Sequence, residues 1–190
     1  GNVTTETQNV VIDDVTAPVA DVTALADVTA ECEVTSITAP TAMDNCGATI
    51  TGTTTDPLTY NTQGSHVITW TYDDGNGNSS TQIQNVVIDD VTAPVADVTA
   101  LADVTYECEV TSITAPTATD NCGATITGTT IDPLNYYTQG THVITWTYDD
   151  GNSNTSTQTQ NVVIDDITAP VADVTALADI TDECSVDIAG

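Results

Sequence analysis

The side chains able to hold a cation recur at a fixed interval of 76 residues. Asp13 and Asp14 return as Asp89 and Asp90, and again as Asp165 and Asp166. Asp44 and Asn45 return as Asp120 and Asn121, while Asp73, Asp74 and Asn76 return as Asp149, Asp150 and Asn152. Carboxylate and amide oxygens are the hard donors that Ca2+ takes, about six to eight per ion, and extracellular modules bind it at about 10⁻⁴ to 10⁻³ M. The whole chain points the same way: 28 acidic residues stand against no Lys or Arg, a formal charge of −28. Self-repulsion on that scale opposes compaction, and divalent cations are the simplest external source of positive charge. The same residue types also build turns and Asx caps. That reading stands beside calcium at the Asp150-Gly151 hairpin, whereas the doubled aspartates favour a counterion because adjacent like charges repel.

Five cysteines form a second repeating set: Cys32 and Cys46, Cys108 and Cys122, then Cys184. The interval inside each pair is fourteen residues. One disulfide per module closing that loop would contribute about 3 kcal/mol by the chain-entropy estimate and would place the chain in an oxidising, extracytoplasmic setting. Cys184 would then pair beyond residue 190. A zinc site is the competing reading, but the paired C-x-x-C or histidine spacing it needs is absent. His66 and His142 have no converging nucleophile or second histidine and read as structural. Trp70 and Trp146 sit in alternating strands and read as core, with sugar stacking as the alternative. Asn2, Asn78 and Asn154 each open an N-x-Ser/Thr sequon. Glu107 and Glu109 flank a cysteine and read as solvent-facing.

The elements that must position these groups are themselves repeated, as a period of this length requires. Residues 15–90 and 91–166 are two complete modules differing at nine positions, among them Ala30/Tyr106, Met43/Thr119, Thr55/Ile131, Thr59/Asn135 and Asn61/Tyr137. Residues 1–14 match the last strand of a preceding module and 167–190 the first third of a following one, so the sequence reads as a window on a longer protein. Thr, Val and Ile abound and helix formers are scarce, which predicts an all-β class. About seven short strands are expected per module. In 91–166 these include Val95–Thr99, Cys108–Ile113, Leu134–Tyr136, His142–Tyr148 with Ile144, Trp146 and Tyr148 facing the core, and Thr157–Ile164. The pattern predicts tandem immunoglobulin-like Greek-key β-sandwiches, joined end to end by Asp-Asp-Val-Thr-Ala-Pro segments whose proline stiffens the connection. In such a sandwich the Asp89-Asp90 joint abuts the Asp120 and Asp149 loops of the following module.

Pro94-Val95, Ala118-Thr119-Asp120-Asn121-Cys122-Gly123, Gly140-Thr141-His142-Val143 and Asp150-Gly151-Asn152 together resemble a hyalin-repeat (HYR-like) module over its full length. The Thr- and Asp-rich, lysine-free version is similar to tandem repeats of very large surface proteins in gliding and marine Bacteroidota, typically exported by a type IX system. The resemblance implies an immunoglobulin-like fold and a host serving in adhesion or as an extracellular stalk. One departure is that many hyalin repeats carry a cysteine in the last strand, where this sequence has Thr157-Gln158-Thr159-Gln160. That favours a bridge within the Cys108–Cys122 segment.

These observations predict a non-enzymatic structural repeat of an extracellular stalk, filament or surface adhesin, stiffened by Ca2+ at its joints. Its expected partners are neighbouring modules, with other filament chains or surface glycans beside them. Multivalent glycan or protein binding is the alternative, with avidity supplied by copy number. Nucleic acid and anionic membranes are disfavoured because both need basic patches. The absence of lysine excludes Lys–Asn isopeptide crosslinks, and no apolar run reaches the roughly 20 residues of a membrane helix.

Overall fold

A computed structural model describes residues 1–173, 175–181 and 184. All its regular elements are strands, and among the described residues no helix is long and apolar enough to cross a membrane. The first repeat contains β1 (Val19–Ala20), β2 (Val28–Ala30), β3 (Thr41–Met43), β4 (Thr49–Thr51), β5 (Gly64–Asp73) and β6 (Ser79–Ile88). They form two three-stranded sheets, ordered β1-β3-β4 and β2-β6-β5. This is an immunoglobulin-like sandwich, and β2 runs parallel to β6 at its edge. The second repeat reproduces the plan with β7 (Val95–Ala96), β8 (Val104–Tyr106), β9 (Thr117–Thr119), β10 (Thr125–Thr127), β11 (Gly140–Asp149) and β12 (Thr155–Ile164). The strands expected at Cys108–Ile113 and Leu134–Tyr136 reduce to one bridge, Val110 to Tyr136. Pro116 and Pro133, which flank this pair, lack the N–H that a longer ladder needs.

The chain divides into two compact units. The first comprises Gly1–Thr99, Ala115–Thr129 and Trp146–Gln158; the second comprises Ala100–Thr114, Thr130–Thr145 and Thr159–Gly190. The first unit thus holds the whole first repeat and, from the second, the turns bearing Asp120 and Asp150.

Alternation in β5 buries Ile68, Trp70 and Tyr72 and leaves Val67 exposed, and β11 does the same with Ile144, Trp146 and Tyr148. The first core joins Ile68 and Trp70 to Val34, Tyr60, Val86 and Ile88. Glutamines complete it. Trp70 Nε1 donates to Gln84 Oε1 at 3.0 Å and Tyr72 Oη to Gln82 Oε1 at 2.8 Å. The two amides then donate to the Ala26 and Val22 carbonyls. The last-strand glutamines therefore satisfy the buried polar tips of the aromatics and tie down the irregular first strand. His66 packs tilted against Tyr60 at 4.8 Å between ring centroids, and its Nε2 donates to the Thr62 carbonyl at 3.0 Å, a structural role.

One copy-to-copy difference has an electrostatic effect. Asp97 accepts hydrogen bonds from the hydroxyls of Thr117 and Thr119, whereas the residue matching Thr119 in the first repeat is Met43. The Thr117 and then the Thr119 hydroxyl hold the Asp97 carboxyl below its ordinary value. A carboxyl lowered in this way binds fewer protons folded than unfolded. It therefore stabilises the fold above the unfolded value, and that contribution fades as pH falls through the folded one. Thr119→Val is expected to shift the Asp97 midpoint upward in a carboxyl NMR titration; an unmoved midpoint would remove the hydroxyl as its cause.

Candidate functional site

The strand registers decide which loops meet. Val19 pairs with Met43, so the Asp44–Cys46 turn lies beside Asp14, where the chain enters the repeat. Ala30 pairs with Ile88, so Glu31 and Cys32 lie beside Asp89 and Asp90, where it leaves. The two cysteines of one repeat thus sit at opposite ends of its sandwich.

Asp90 is the centre of the joint. Its backbone N–H donates to Gln63 Oε1 at 2.9 Å and its carbonyl accepts from Asn154 Nδ2 at 2.8 Å. Its carboxylate accepts from the Thr92 N–H at 3.1 Å and from Asn152 Nδ2 at 3.2 Å. Beside it the Asp120–Gly123 turn closes with Gly123 at φ 84°, and Cys122 N–H donates to Asp120 Oδ2 at 2.8 Å. Asp90 and Asp120 are both almost fully buried, 4% and 5% exposed. Asp120 Oδ1 has no hydrogen-bond partner among the described residues. One ligand atom each from Asp90, Asp120 and Cys122 falls within 4.8 Å of the others.

The upstream joint is a second edition. Asp14, Asp44 and Cys46 converge within the same 4.8 Å, and Asp44, again 5% exposed, leaves its Oδ1 without a partner among the described residues. Asn78 Nδ2 donates to the Asp14 carbonyl at 3.0 Å and Asn76 Nδ2 to Asp14 Oδ2 at 3.4 Å. The Asp14 carboxylate, with Asp44, pushes the Cys46 thiol above its ordinary value.

The other acidic residues of the expected set are distributed differently. Asp74 and Asp150 organise the hairpin turns. Asp150 accepts from the N–H groups of Asn152 and Asn154 and from Asn154 Nδ2. Burial pulls the Asp150 carboxyl upward, but these hydrogen bonds outweigh it and hold the group below its ordinary value. Asp73 and Asp149 cap the same turns through the N–H groups of Gly75 and Gly151. Asp89 lines a shallow recess with Thr29, Ala30, Glu31 and Val87. Asp13 is exposed. Asn45 lies in the upstream turn, and Asn121 donates from Nδ2 to Glu31 Oε2 at 2.6 Å. In the second unit, Asp165 lines a recess with Thr105 and Glu107, and the Asp166 N–H donates to Gln139 Oε1 at 2.9 Å.

Three repeat positions at the joints were not legible as such. Glu31 accepts from both Thr92 Oγ1 and Asn121 Nδ2, and its counterpart Glu107, read as merely solvent-facing, accepts from Thr168 Oγ1. Gln63 bridges the Glu31 carbonyl and the Asp90 N–H. Asn78 and Asn154, read as sequons, have amides already donating to the joint carbonyl and to an aspartate. A glycan on either nitrogen would displace those contacts.

The disulfide corrects the expected pairing. Cys32 is bonded to Cys122, 90 residues away and in the next repeat, while Cys46, Cys108 and Cys184 are free and exposed. The fourteen-residue loop from Cys32 to Cys46 does not close, because that pair spans its sandwich from one end to the other, and Cys108 is likewise not bonded to Cys122. Being bonded, Cys122 has no thiolate to give a metal.

Residues 16–88 match the family model described as an HYR-like domain with 4 cysteines. That segment holds two cysteines, Cys32 and Cys46. The chain is 38% identical over 149 residues to hyalin of Strongylocentrotus purpuratus, covering 72% of this chain and 12% of that protein. It is 36% identical over 183 residues to hyalin of Lytechinus variegatus, covering 87% of this chain and 34% of that protein. The chain therefore spans about an eighth and about a third of these relatives. Among solved structures, an endo-fucoidan hydrolase, MfFcnA4 of glycoside hydrolase family 107, aligns at TM-score 0.33 and 17% identity over 78% of this chain and 29% of that one, a likeness too slight to carry an argument. With both hyalins aligned across most of the chain, residues 16–88 are a hyalin-repeat domain of the HYR-like type, and the near-identical copy after them carries the same joint residues.

Proposed function

We propose that the chain is a non-enzymatic structural segment of an extracellular stalk, filament or surface adhesin whose repeat joints are stiffened by Ca2+. The observation that carries this is the bare Oδ1 of Asp120 buried near Asp90, in a sequence without one lysine or arginine. A buried acceptor without a partner costs about 1–3 kcal/mol, and more when charged, so a cation is the economical occupant. The donor set fits a hard divalent ion: Asp90 and Asp120 would hold it at one joint and Asp14 and Asp44 at the other, with water completing the shell. When bound, the ion supplies only charge and orientation. The crosslinked joint supports an extracellular, oxidising location, and the resemblance of the Thr- and Asp-rich, lysine-free repeat to those of large type IX-exported surface proteins of Bacteroidota points to a host of that kind.

Calorimetry in 10 mM CaCl2 against excess chelator tests the reading. Sites of about 10⁻³ to 10⁻⁴ M should stabilise by about 1.4–2.7 kcal/mol each, and Asp120→Asn should remove the response of its joint. Equal melting temperatures with and without calcium would overturn it.

Direct adhesion is the second reading, favoured by one feature of the second copy. Tyr137 is 61% exposed and Ile131 fully so, and Asn135 Nδ2 donates to the Tyr137 hydroxyl at 3.2 Å. The first copy has Asn61, Thr55 and Thr59 at these positions. A glycan array comparing the chain with Tyr137→Asn separates the two readings: a signal lost in the variant supports adhesion.

A further inference from the structure

The Cys32–Cys122 bond spans 90 residues, fourteen more than the repeat of 76. We propose that when the repeat continues in tandem, successive staples overlap, so that every peptide bond of the array lies inside at least one disulfide loop. Loops confined to fourteen residues would leave most of each repeat outside any staple.

The structure shows both halves of the next staples already built. Cys46 occupies the setting of Cys122: its N–H donates to Asp44 Oδ2 at 2.9 Å, as that of Cys122 donates to Asp120 Oδ2 at 2.8 Å. Cys108 occupies the setting of Cys32. Gln139 Nε2 donates to the Glu107 carbonyl at 3.0 Å and Thr168 Oγ1 to Glu107 Oε2 at 2.7 Å. The first repeat makes the same two contacts at 2.9 and 2.6 Å. Both thiols are exposed. Each meets the opposite half-site of an adjoining repeat, Cys46 a Cys32-type thiol and Cys108 a Cys122-type thiol. Two thiols then lose two protons and two electrons to a small-molecule disulfide, which leaves as two thiols.

Two properties follow for the array. A single backbone cut anywhere leaves it in one piece. Under tension, the shortest covalent path through a repeat is fourteen residues and one S–S bond, so an unfolded repeat extends to about 50 Å rather than about 260 Å. The staples make the array tolerant of nicking and nearly inextensible. This inference rests on the tandem structural reading but not on calcium, so it can fail or hold without regard to the chelator experiment.

The sequence supplies the cutting sites. It has no Lys or Arg for trypsin, but its Asp56–Pro57 and Asp132–Pro133 bonds are open to mild acid. The chain carrying Cys184→Ser is cleaved partially and run on denaturing gels with and without reductant. Cleavage at Asp56–Pro57 should leave the halves joined until reduced, while cleavage at Asp132–Pro133 should release residues 133–190 at once. Inserting one more copy of residues 91–166 after Asp166 gives Cys108 its partner, and the Asp132–Pro133 cut should then also be held. Separation at Asp56–Pro57 without reductant, or at Asp132–Pro133 in the lengthened chain, would overturn the proposal.

Discussion

Replacing Cys32 and Cys122 together with serine is expected to destabilise the first unit by about 4.6 kcal/mol, the chain-entropy estimate for a loop of this length. The bond closes 90 residues, so its effect exceeds the roughly 3 kcal/mol of a fourteen-residue loop. Location separates the alternatives more sharply than magnitude. If each repeat were stapled internally, Cys122→Ser would leave the first repeat untouched and Cys46→Ser would be severe. With the bond across the joint, Cys32→Ser and Cys122→Ser should match each other and the double variant, while Cys46→Ser, an exposed free thiol in the oxidised chain, stays within about 0.5 kcal/mol. The double variant is the cleaner measurement, because each single one leaves a thiol free to pair wrongly. Urea denaturation of the five proteins decides the matter, and a Cys46→Ser loss as large as that of the double variant would refute the joint staple.

The reason this pairing escaped the sequence is geometric. Periodicity reveals which residues repeat and strand alternation reveals which face is buried, so Ile144, Trp146 and Tyr148 were assignable from spacing alone. The convergence of Asp90 with Asp120 and Asn152 was likewise legible, since it follows from which loops of a sandwich share an end. The cysteines call for the same reasoning applied to β2 and β3. The parallel pairing of β2 with β6 carries Cys32 to the exit of the repeat, and a short parallel edge strand has no local signature. Fourteen residues, extended through Pro40, reach from that exit back to the entry, a distance of up to about 50 Å at full extension. Loop closure and end-to-end traverse therefore look alike in one dimension. Asn78 and Asn154 were obscured for a different reason: the sequon pattern is satisfied wherever an asparagine precedes serine or threonine, and here it coincides with a joint hydrogen bond. The doubled aspartates divide because neighbouring strand residues face opposite ways, so Asp90 enters the joint while Asp89 continues the ladder, donating its N–H to the Ala30 carbonyl at 3.0 Å.

Trp70→Ala should nearly unfold the first unit. The chain has no phenylalanine, so this indole is the largest group in a core otherwise made of Val34, Tyr60, Ile68, Val86 and Ile88, and it is 1% exposed. Deleting it costs about 3–5 kcal/mol in transfer and cavity terms. A second cost is polar. Gln84 Oε1 loses the indole N–H while its own Nε2 stays committed to the Ala26 carbonyl, leaving an acceptor unsatisfied for about 1–3 kcal/mol. Against a typical domain stability of about 5–15 kcal/mol, the sum removes most of what holds the sandwich together. Trp70→Phe isolates the second term, since it keeps most of the apolar volume and drops only the N–H. Gln84→Leu in that background should recover little, because the side chain that carries the stranded acceptor also donates to the Ala26 carbonyl. Circular dichroism during urea unfolding measures all three variants, with Trp146 fluorescence as an independent probe. A Trp70→Ala chain within about 1 kcal/mol of the parent would mean that the indole is not core, and the stacking role for this tryptophan would return.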